Sequence, residues 1–417
     1  YTGRVYVDKN KNGVFDPGEK TWAGIKVSDG LNVVETAADG SFTLPGHERE
    51  RFIFITTPSG YKTFNRHYHK IEKKQSGYDF CLMPYSGRIR KDGSHKYIHI
   101  ADTEIFNTEN HEDWVNNVRD YARNEQAAFI IHTGDICYEK GLKAHIKLMN
   151  TENMDCPVFY CIGNHDLVKG KYGEELFESI YGPVYYSFDA GNVHYVVTPM
   201  PGGDHAPGYT SDDVCRWLKN DLAHIRPGTP VVVFNHDLLT YEDTFIFKSK
   251  NAGSINLNEY NLKAWVYGHW HINYMKKQGD VYSVCTSSLD KGGIDHSTTA
   301  FRVMHVDSKG DFTSELRYTY LDKNICIASP AGVMASGVLP VAVNVYSSVS
   351  PVREVLYTCL ADGKPVLKNK RLLQSTDWSW NGELPLSHKY VGKELTLRVT
   401  ARFNNGEIAK AESNFVC

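Results

Sequence analysis

Short runs of apolar residues recur through the middle of the chain, and each run ends at a polar side chain. In the clearest example, apolar residues 129–131 lead to Gly134 and then to Asp135. A run that is apolar at every position predicts a strand buried on both faces. The same pattern predicts strands in four further segments, residues 97–104, 158–166, 231–237 and 264–271.

Segments with a helical spacing of apolar residues separate these strands. The spacing predicts helices at residues 112–126, 140–151 and 174–181, and a further helix that Thr210 caps with Asp213 three residues on. Two more segments, residues 184–199 and 281–306, are expected to add strand pairs. Strands and helices that alternate in this way predict an α/β domain with helices on both sides of its sheets.

Each predicted buried strand ends at side chains that bind metal ions. Because ligands bind at the carboxyl ends of the strands in open α/β sheets, we expect these side chains to meet at one edge of one sheet. The eight candidates are Asp102, Glu104, Asp135, Asn164, His165, His236, His269 and His271. This mixture of imidazole, carboxylate and carbonyl groups favours first-row transition metals over calcium or magnesium, and eight groups predict two ions.

Five sequence blocks in this region follow one another in a fixed order. They are Asp102-x-Glu104, Gly134-Asp135-x-x-Tyr138, Gly163-Asn164-His165-Asp166, Val233-x-x-His236 and Gly268-His269-x-His271. In that order the blocks resemble the calcineurin-like metallophosphoesterases, and the resemblance covers residue 97 to about residue 321. It implies a four-layer α-β-β-α sandwich and metal-dependent hydrolysis of phosphate esters.

The first block departs from the family pattern. Most of the family has Asp-x-His there, and its purple acid phosphatase branch has Asp-x-Gly, whereas this chain has Glu104. Glutamate is a competent ligand whose added negative charge favours a harder or more highly charged ion. Tyr138 matches the purple acid branch, in which the equivalent tyrosine is an iron ligand.

The resemblance and the residue types together suggest a role for each side chain. Asp135 is expected to bridge two ions of manganese, iron or zinc. The other ligands of one ion would be Asp102, Glu104, His271 and Tyr138, and those of the second ion would be Asn164, His236 and His269. A hydroxide that bridges the ions would attack phosphorus.

The remaining candidates lie beside this ligand set. His165 would protonate the leaving group as the general acid, and Asp166 would orient His165 or a neighbouring loop. Residues 199–209 are rich in Gly and Pro and are predicted to line a substrate cleft, with His205 as a candidate phosphate contact.

The N-terminal region, residues 1–85, alternates polar and apolar positions between Gly, Asp and Pro turns, which predicts a β-sandwich. Between its first two strands, a calcium-loop template is matched by Asp8, Asn10, Asn12, Asp16 and Glu19. Strands flank the loop, so it is expected to hold a structural calcium ion and not to act as an EF-hand sensor. The alternative is an Asx-rich turn without an ion.

The C-terminal region returns to a β pattern, with alternation in residues 395–403 and a predicted hairpin at residues 404–406. We therefore predict three domains: a β-sandwich at 1–85, a catalytic domain at 86–321 and an Ig-like β-sandwich at 322–417. The N-terminal region also resembles the calcium-stapled prealbumin-like or Ig-like repeats of bacterial surface proteins. This second resemblance implies a periplasmic, cell-surface or secreted location.

Composition excludes several other classes of protein. The chain of 417 residues is 41% hydrophobic and 23% charged with a net charge of −3, so a nucleic-acid surface is not expected. We find no apolar run of the ~20 residues that a membrane helix needs. The start at Tyr1, with no initiator Met, suggests a processed N-terminus. The sequence leaves the oligomeric state open.

Two functions remain after these exclusions. The first is hydrolysis of a phosphorylated substrate, as a phosphomonoesterase or phosphodiesterase whose substrate the sequence does not identify. The second is an envelope binding or adhesion protein whose catalytic domain has lapsed, and Glu104 is its only support.

Overall fold

A computed structural model describes residues 1–64, 66–75, 77–321, 323–334 and 337–417. The chain divides into two compact units. The first contains residues 1–115 and 126–317, and the second contains residues 116–125 and 318–417. The predicted boundary at residue 85 lies inside the first unit, and Asp322, the first residue of the predicted third domain, lies outside the described residues. The three predicted domain ranges stay a prediction.

The N-terminal part of the first unit is built from strands. They are β1 (Thr2–Val7), β2 (Lys20–Thr21), β3 (Lys26–Ser28), β4 (Val33–Glu35), β5 (Ser41–Thr43), β6 (Phe52–Ile55), β7 (Tyr61–Thr63), β8 (Tyr68–Lys70) and β9 (Phe80–Pro84). Two sheets form, in the orders β2-β1-β9-β7, with β5 also paired to β1, and β4-β3-β6-β8. Val5, Val27 and Leu82 lie in the core between them.

Strand β6 contributes to two cores. Its alternate residues Ile53 and Ile55 pack in the N-terminal core, whereas Phe52 and Phe54 pack in the core of the following α/β region. The ring centroid of Phe54 lies 6.2 Å from that of Trp217. Successive side chains of a strand point to opposite faces, so one strand joins both layers.

The α/β region follows in the same unit. Its strands are β10 (His95–Ile100), β11 (Phe129–His132), β12 (Val158–Tyr160), β13 (Tyr186–Ala190), β14 (Val193–Val197), β15 (Val231–Phe234), β16 (Ile246–Phe247), β17 (Ile255–Asn256), β18 (Leu262–Tyr267), β19 (Tyr274–Gln278), β20 (Val281–Cys285), β21 (Ala300–Val306) and β22 (Phe312–Tyr318). Its helices are α1 (Glu112–Asn124), which runs on into the second unit, α2 (Tyr138–Leu148), α3 (Thr151–Met154), α4 (Glu175–Tyr181) and α5 (Ser211–Ala223).

The strands of this region form two main sheets. One has the order β12-β11-β10-β21-β22 and the other the order β13-β14-β15-β18-β20-β19. The prediction that all five motif-bearing strands share one sheet is therefore wrong, because β10, β11 and β12 belong to the first sheet and β15 and β18 to the second. The two strands predicted within residues 281–306 also lie in different sheets. Ala128, Phe129 and Val233 pack in a shared apolar core, and the four-layer arrangement stays a prediction.

Local sequence signals set several of the helix ends. Helix α5 begins as predicted, because the Thr210 side chain accepts a hydrogen bond from the backbone N–H of Asp213, and the Asp213 carboxylate accepts one from the N–H of Thr210.

Of the described residues, none lies in a helix long and apolar enough to cross a membrane.

The second unit carries the strands β23 (Asn324–Ser329), β24 (Gly332–Val333), β25 (Val338–Tyr346), β26 (Val352–Ala361), β27 (Lys364–Arg371), β28 (Leu373–Gln374), β29 (Ser379–Pro385), β30 (Glu394–Phe403) and β31 (Ile408–Val416). They form sheets of order β23-β25-β29-β28 and β24-β31-β30-β26-β27. The predicted hairpin is present, because β30 pairs antiparallel with β31. Val343, Trp380 and Leu397 lie in the core of the second unit, whereas Trp378 is exposed.

Candidate metal centre

The predicted ligands follow directly after five strands. Asp102 follows β10, Asp135 follows β11, Asn164 and His165 follow β12, His236 follows β15, and His269 and His271 follow β18. The first three strands are parallel neighbours in one sheet, and β15 and β18 are parallel neighbours in the other. Contacts between these side chains therefore join the two sheets.

Six of the predicted ligands have a backbone conformation that non-glycine residues rarely adopt. The φ angles are 52° at Asp102, 46° at Glu104, 56° at Asp135, 56° at Tyr138, 65° at His269 and 49° at His271. Each such residue costs free energy and persists only where the surrounding structure holds it, and such residues cluster at functional sites. The clustering marks these strand ends as a candidate site independently of residue type.

Asp135 lies at the centre of the contacts. Its Oδ1 atom accepts a hydrogen bond from the backbone N–H of His165 at 3.0 Å, and its Oδ2 lies 3.1 Å from Nε2 of His236. Glycine is needed beside it, because a Cβ atom on Gly134, where φ is 99°, would lie 2.6 Å from Nδ1 of His236. A Cβ atom on Gly163 would lie 2.2 Å from Oδ1 of Asp135. The two motif glycines thus allow the loops to approach closely.

His236 and His269 complete one group of ligand atoms around Asp135. One ligand atom from each of the three residues lies within 4.8 Å of the others. Nδ1 of His236 lies 2.7 Å from the carbonyl oxygen of Thr133, which fixes the tautomer so that Nε2 faces Asp135. Burial disfavours a charge on His236, but the Asp135 carboxylate outweighs this and raises the pKa of His236 to about 9.

Asn164 supplies the test of whether an ion fits here. Among the described residues, its Oδ1 atom is buried and has no hydrogen-bond partner, and Nε2 of His236 faces Asp135 without the alignment of a hydrogen bond. A buried polar atom that has no partner costs free energy, which a cation bound at that atom would recover. The amide oxygen, imidazoles and carboxylates fit a first-row transition ion.

A second group forms around His271. Its Nε2 lies 3.5 Å from Oδ1 of Asp102 and 3.4 Å from Oε1 of Glu104. Asp102 is fully buried, and burial followed by the nearby Asp135 carboxylate raises its pKa well above the usual range although His236 opposes the shift. Carboxylates this close together favour bound positive charge, so this group could hold a second ion.

Glu104 also contacts a residue that the sequence did not suggest. Nζ of Lys291 lies 2.7 Å from Oε2 of Glu104 and 3.1 Å from its carbonyl oxygen. The pair partly balances the negative charge that Glu104 adds to the first block. Lys291 is 187 positions away in the sequence, and no local signal pointed to it.

Cys137 is a further residue that sequence reasoning missed. It is buried, and one ligand atom each from Glu104, Asp135 and Cys137 lies within 4.8 Å of the others. Burial, followed by the Asp135 carboxylate, raises the pKa of its thiol. Its position between Asp135 and Tyr138 in the second block was the available signal.

His165 points to the edge of this cluster. Nδ1 of His165 lies 2.8 Å from Oδ2 of Asp204, and 3.5 Å from the hydroxyl of Tyr138. Partial burial opposes the charged imidazole, but the hydrogen bond to Asp204 and the charges of Asp135, Asp204 and Glu104 together outweigh it and raise the pKa of His165. The side chain is about one-third exposed, which suits a group that must reach a substrate.

Asp166 accepts hydrogen bonds from backbone N–H groups, and no hydrogen bond among the described residues joins its side chain to that of His165. Its Oδ2 accepts hydrogen bonds from the N–H groups of Asp135 and Gly163, each at 2.9 Å, and its Oδ1 accepts one from Cys137 at 2.8 Å. Of the two predicted orienting roles for Asp166, the structure therefore supports the one toward a neighbouring loop. Burial and the Asp135 charge raise the pKa of Asp166 to about 6.

The loop of residues 199–209 lies against the Asn164 end of the site. The backbone N–H of Asp204 donates to the carbonyl oxygen of Asn164 at 3.1 Å, and a Cβ atom on Gly203 would lie 2.3 Å from that oxygen. His205 is exposed on this loop. Pro199 and Tyr209 at the ends of the loop also line a cavity of about 570 Å³, and a substrate cleft along this loop stays a prediction.

The N-terminal region holds the other end of this loop. Nη2 of Arg51 lies 2.7 Å from both Glu174 Oε1 and Glu178 Oε1, and the Glu174 carboxylate accepts a hydrogen bond from the N–H of Gly208 at 2.8 Å. Arg49 donates to the carbonyl oxygen of the same Gly208. Arg49 directly, and Arg51 through Glu174, thus hold Gly208, which lies four positions after Asp204.

Two parts of the chain match known protein families. Residues 95–273 match the family described as calcineurin-like phosphoesterase, and residues 9–85 match the N-terminal domain of calcineurin-like phosphoesterases. Together the two matches cover well over half of the chain. The chain belongs to the calcineurin-like phosphoesterases. This family membership implies metal-dependent hydrolysis of phosphate esters.

Individual relatives of this calcineurin-like phosphoesterase are distant. Purple acid phosphatase 13 of Arabidopsis thaliana is 26% identical over an alignment of 215 positions, and the match covers 48% of this chain and 36% of the plant protein. The chain therefore spans about a third of the length of that curated relative.

Two solved structures are also only distantly similar to this chain in sequence. A novel archaeal phosphodiesterase is 13% identical with a TM-score of 0.28, and the match covers 53% of this chain and 99% of that chain. Vacuolar protein sorting 29 of Cryptosporidium parvum is 11% identical with a TM-score of 0.29, and covers 70% of this chain and 99% of that chain. At these TM-scores neither structure carries an argument about this phosphoesterase.

The N-terminal domain of this phosphoesterase contains the candidate calcium loop. The loop connects two strands, β1 and β2, as predicted. Asp8 accepts hydrogen bonds from the N–H groups of Lys11 and Gly13, and Glu19 accepts them from Lys9 and Asp16. The side-chain amides of Asn10 and Asn12 each donate to Asp16 at 2.7 Å. The five predicted ligands belong to one connected loop, and its calcium ion stays a prediction.

Proposed function

We propose that this protein hydrolyses phosphate monoesters or diesters at a centre of two transition-metal ions. The buried Oδ1 atom of Asn164, which has no hydrogen-bond partner among the described residues, carries the proposal. The next residue, His165, donates its backbone N–H to Asp135, which forms one ligand group with His236 and His269. One ion would be held by Asp135, Asn164, His236 and His269, and the other by Asp135, Asp102, Glu104 and His271, with Tyr138 as its further candidate ligand. Manganese, iron or zinc suits these donors.

The bound ions would neutralise phosphoryl oxygens and lower the pKa of a water molecule. Every other part of the reaction belongs to the chain. Asp135 lies between the two ligand groups and fixes their separation. The oxygen of water bonds to phosphorus as the ester P–O bond breaks, and the leaving oxygen takes a proton from Nε2 of His165. Asp204 contacts the other nitrogen, Nδ1, so it holds the ring with Nε2 free to face the substrate.

Metal analysis combined with an ester panel tests this function. The purified chain should bind two transition-metal ions and hydrolyse an activated aryl phosphate, and Asp135→Asn should lose both properties. A panel of phosphate monoesters and diesters then decides between the two substrate classes. A chain that binds no manganese, iron, zinc or cobalt and turns over no ester would overturn the proposal in favour of the lapsed binding protein.

We further propose that the loop of residues 8–19 binds a structural calcium ion. The support is the set of five oxygen-bearing side chains in one loop between two strands. Calcium should raise the melting temperature of the chain, and should not do so for Glu19→Gln. Equal melting temperatures with calcium and with a chelator would leave an Asx-rich turn without an ion.

We also propose a location in the periplasm, at the cell surface or in the secreted fraction. The support is the resemblance of the N-terminal region to repeats of bacterial surface proteins, together with a calcium loop that extracellular calcium concentrations could fill. Fractionation of the source cells with an antibody against the chain tests the location. Recovery only with cytosolic markers would overturn it.

A further inference from the structure

Two exposed aromatic side chains lie together, and one of them, Tyr138, lies beside His165. Phe106 is 54% exposed and Tyr138 is 40% exposed. Their rings are stacked, with an interplanar angle of 15° and centroids 6.4 Å apart. The Tyr138 ring is in turn 5.4 Å from the ring of His165. Exposed apolar side chains that are grouped together, unlike single ones, mark binding surfaces.

The two rings are attached to backbone segments that also carry candidate metal ligands. Phe106 lies two residues after Glu104, and Tyr138 lies three residues after Asp135. Tyr138 is the first residue of α2, and the N–H of the preceding Cys137 is bonded to the buried Asp166. The pair is therefore positioned by the segments that carry the candidate metal ligands, so it stays at a fixed place relative to the reacting phosphate.

The position of the general acid decides what these rings would contact. A general acid must come within ~2.6 to 3.2 Å of the oxygen that it protonates. In the proposed reaction that oxygen belongs to the leaving alcohol, and Tyr138 is next to His165. The carbon skeleton of the leaving alcohol therefore lies near Tyr138 and Phe106, whereas the phosphoryl group lies over the ligand cluster.

We propose that Phe106 and Tyr138 form a stacking platform for a planar ring carried by the leaving alcohol of the substrate. Nearly parallel aromatic faces favour flat aromatic or heteroaromatic groups, because stacked rings gain more than their buried area alone provides. The substrate class is thus a phosphate ester of a ring-bearing alcohol. This inference rests on the proposed function, since it assumes that His165 protonates the leaving group.

Two esters of matched size test the platform. Benzyl phosphate and cyclohexylmethyl phosphate have alkyl alcohols as leaving groups, and they differ in that one ring is flat and the other puckered. The metal-loaded wild-type protein should have the lower KM for the benzyl ester. Phe106→Ala should raise that KM by about fivefold and change the KM for the cyclohexylmethyl ester little, because a stacked pair is worth about 1 kcal/mol.

Two further variants serve as controls. Phe106→Trp keeps an aromatic face at this position, so it should retain the wild-type preference for the benzyl ester that Phe106→Ala loses. Tyr241 provides a matched exposed aromatic residue, because it is 74% exposed and stacked on Trp270, with ring centroids 5.9 Å apart. Tyr241→Ala should leave the preference between the two esters unchanged. Metal content should be the same in all three variants.

Three results would overturn the platform. One is a loss of the same factor on both esters in Phe106→Ala, which would mean that the surface binds apolar groups of any shape. Another is an unchanged KM for the benzyl ester in that variant, and the third is the same loss in Tyr241→Ala. If the metal-loaded wild-type protein hydrolyses neither these esters nor an activated aryl phosphate, the proposed function itself fails.

Discussion

Nδ1 of His165 lies 2.8 Å from Oδ2 of Asp204, a residue 39 positions later in the chain. The carboxylate both orients the imidazole and stabilises its protonated form, which is what a general acid requires. The same loop contacts the carbonyl oxygen of Asn164 through the N–H of Asp204. One loop residue therefore connects the candidate acid to a candidate ligand.

Asp204→Asn should weaken the action of His165 as the general acid and leave its imidazole in place. We expect the rate on an alkyl phosphate to fall by about 10-fold or more, because general acid help is worth ~10² to 10⁴ and depends on the state of the imidazole. The rate on p-nitrophenyl phosphate should fall much less, since that leaving group needs little protonation. Steady-state kinetics on both esters, with metal content as the control, checks this. Equal losses on the two esters would contradict the assignment.

His165→Ala should retain both metal ions and lose most activity on an alkyl phosphate. The expected loss is ~10² to 10⁴, with a smaller loss on p-nitrophenyl phosphate. The side chain lies at the edge of the ligand cluster, and only its backbone N–H contacts Asp135, so metal binding should survive. A variant that sheds metal would show that the residue is structural.

Glu104 and Lys291 can be separated by paired substitutions. If Glu104 binds an ion, Glu104→Ala should lower metal occupancy and rate together, and Glu104→His should keep the metal and shift its preference toward softer ions. Lys291→Met removes the 2.7 Å ion pair and leaves the carboxylate in place, so it should retain metal. Metal analysis by mass spectrometry checks all three variants. Identical behaviour of Glu104→Ala and Lys291→Met would mean that Glu104 acts only as the partner of Lys291.

Arg51 is expected to act at a distance through the loop of residues 199–209. Arg51→Gln removes the cation between Glu174 and Glu178, and Glu174 holds Gly208. The rate on an alkyl phosphate should fall by about tenfold, with less effect on p-nitrophenyl phosphate and none on metal content, because Asp204 is misplaced.

A matched control is available in the same region. Arg66 is exposed and lies over the ring of Tyr68, so Arg66→Gln removes an N-terminal arginine without touching the loop. This variant should keep the wild-type rates on both esters. If Arg51→Gln and Arg66→Gln lower the rates equally, or if Arg51→Gln lowers only the melting temperature, Arg51 does not position the loop of residues 199–209.

A buried histidine predicts how stability depends on pH. His194 lies between Asp189 and Asp221, at 2.7 and 2.8 Å. Burial opposes its charge, but the Asp221 carboxylate outweighs burial, helped by Asp189, and raises its pKa. The raised pKa means that its stabilisation is complete below about pH 6.5, the unfolded value, and is lost as pH rises through the folded value.

The carboxylates of Asp189 and Asp221 limit stability at low pH. Burial favours their neutral forms, but Lys26 and His194 lower the pKa of Asp189, and His194 lowers the pKa of Asp221. Their stabilisation is present above about pH 4 and is lost as pH falls through the folded values. The melting-temperature difference between wild type and His194→Gln should be largest between about pH 4 and 6.5 and should shrink at higher pH. A difference that is independent of pH would contradict a charged triad.

The parts of the site that are local in sequence could be predicted. Residues 129–131 are buried in a strand, and Asp135 follows the turn at Gly134, because strand burial and glycine turns leave a signal within a few residues. The helix cap at Thr210 was readable for the same reason. The candidate ligands of all five blocks lie after strands, as predicted.

What depends on distant pairing could not be predicted. Nothing in the apolar runs tells which strands become neighbours, so β10 and β15 were assigned to one sheet although they belong to two. Asp204 lies in a loop without periodicity, and Lys291 is 187 positions from its partner Glu104. Contacts of this kind arise only once the chain has folded.

Strand β6 bears on how this protein can be divided in the laboratory and in evolution. Because Phe52 and Phe54 fill one core while Ile53 and Ile55 fill another, a fragment that starts at residue 86 would leave Trp217 facing water where Phe54 had packed. Shuffling the N-terminal region between homologous proteins would have to preserve both sets of side chains at once. The two regions are thus expected to be inherited, expressed and crystallised as a single piece.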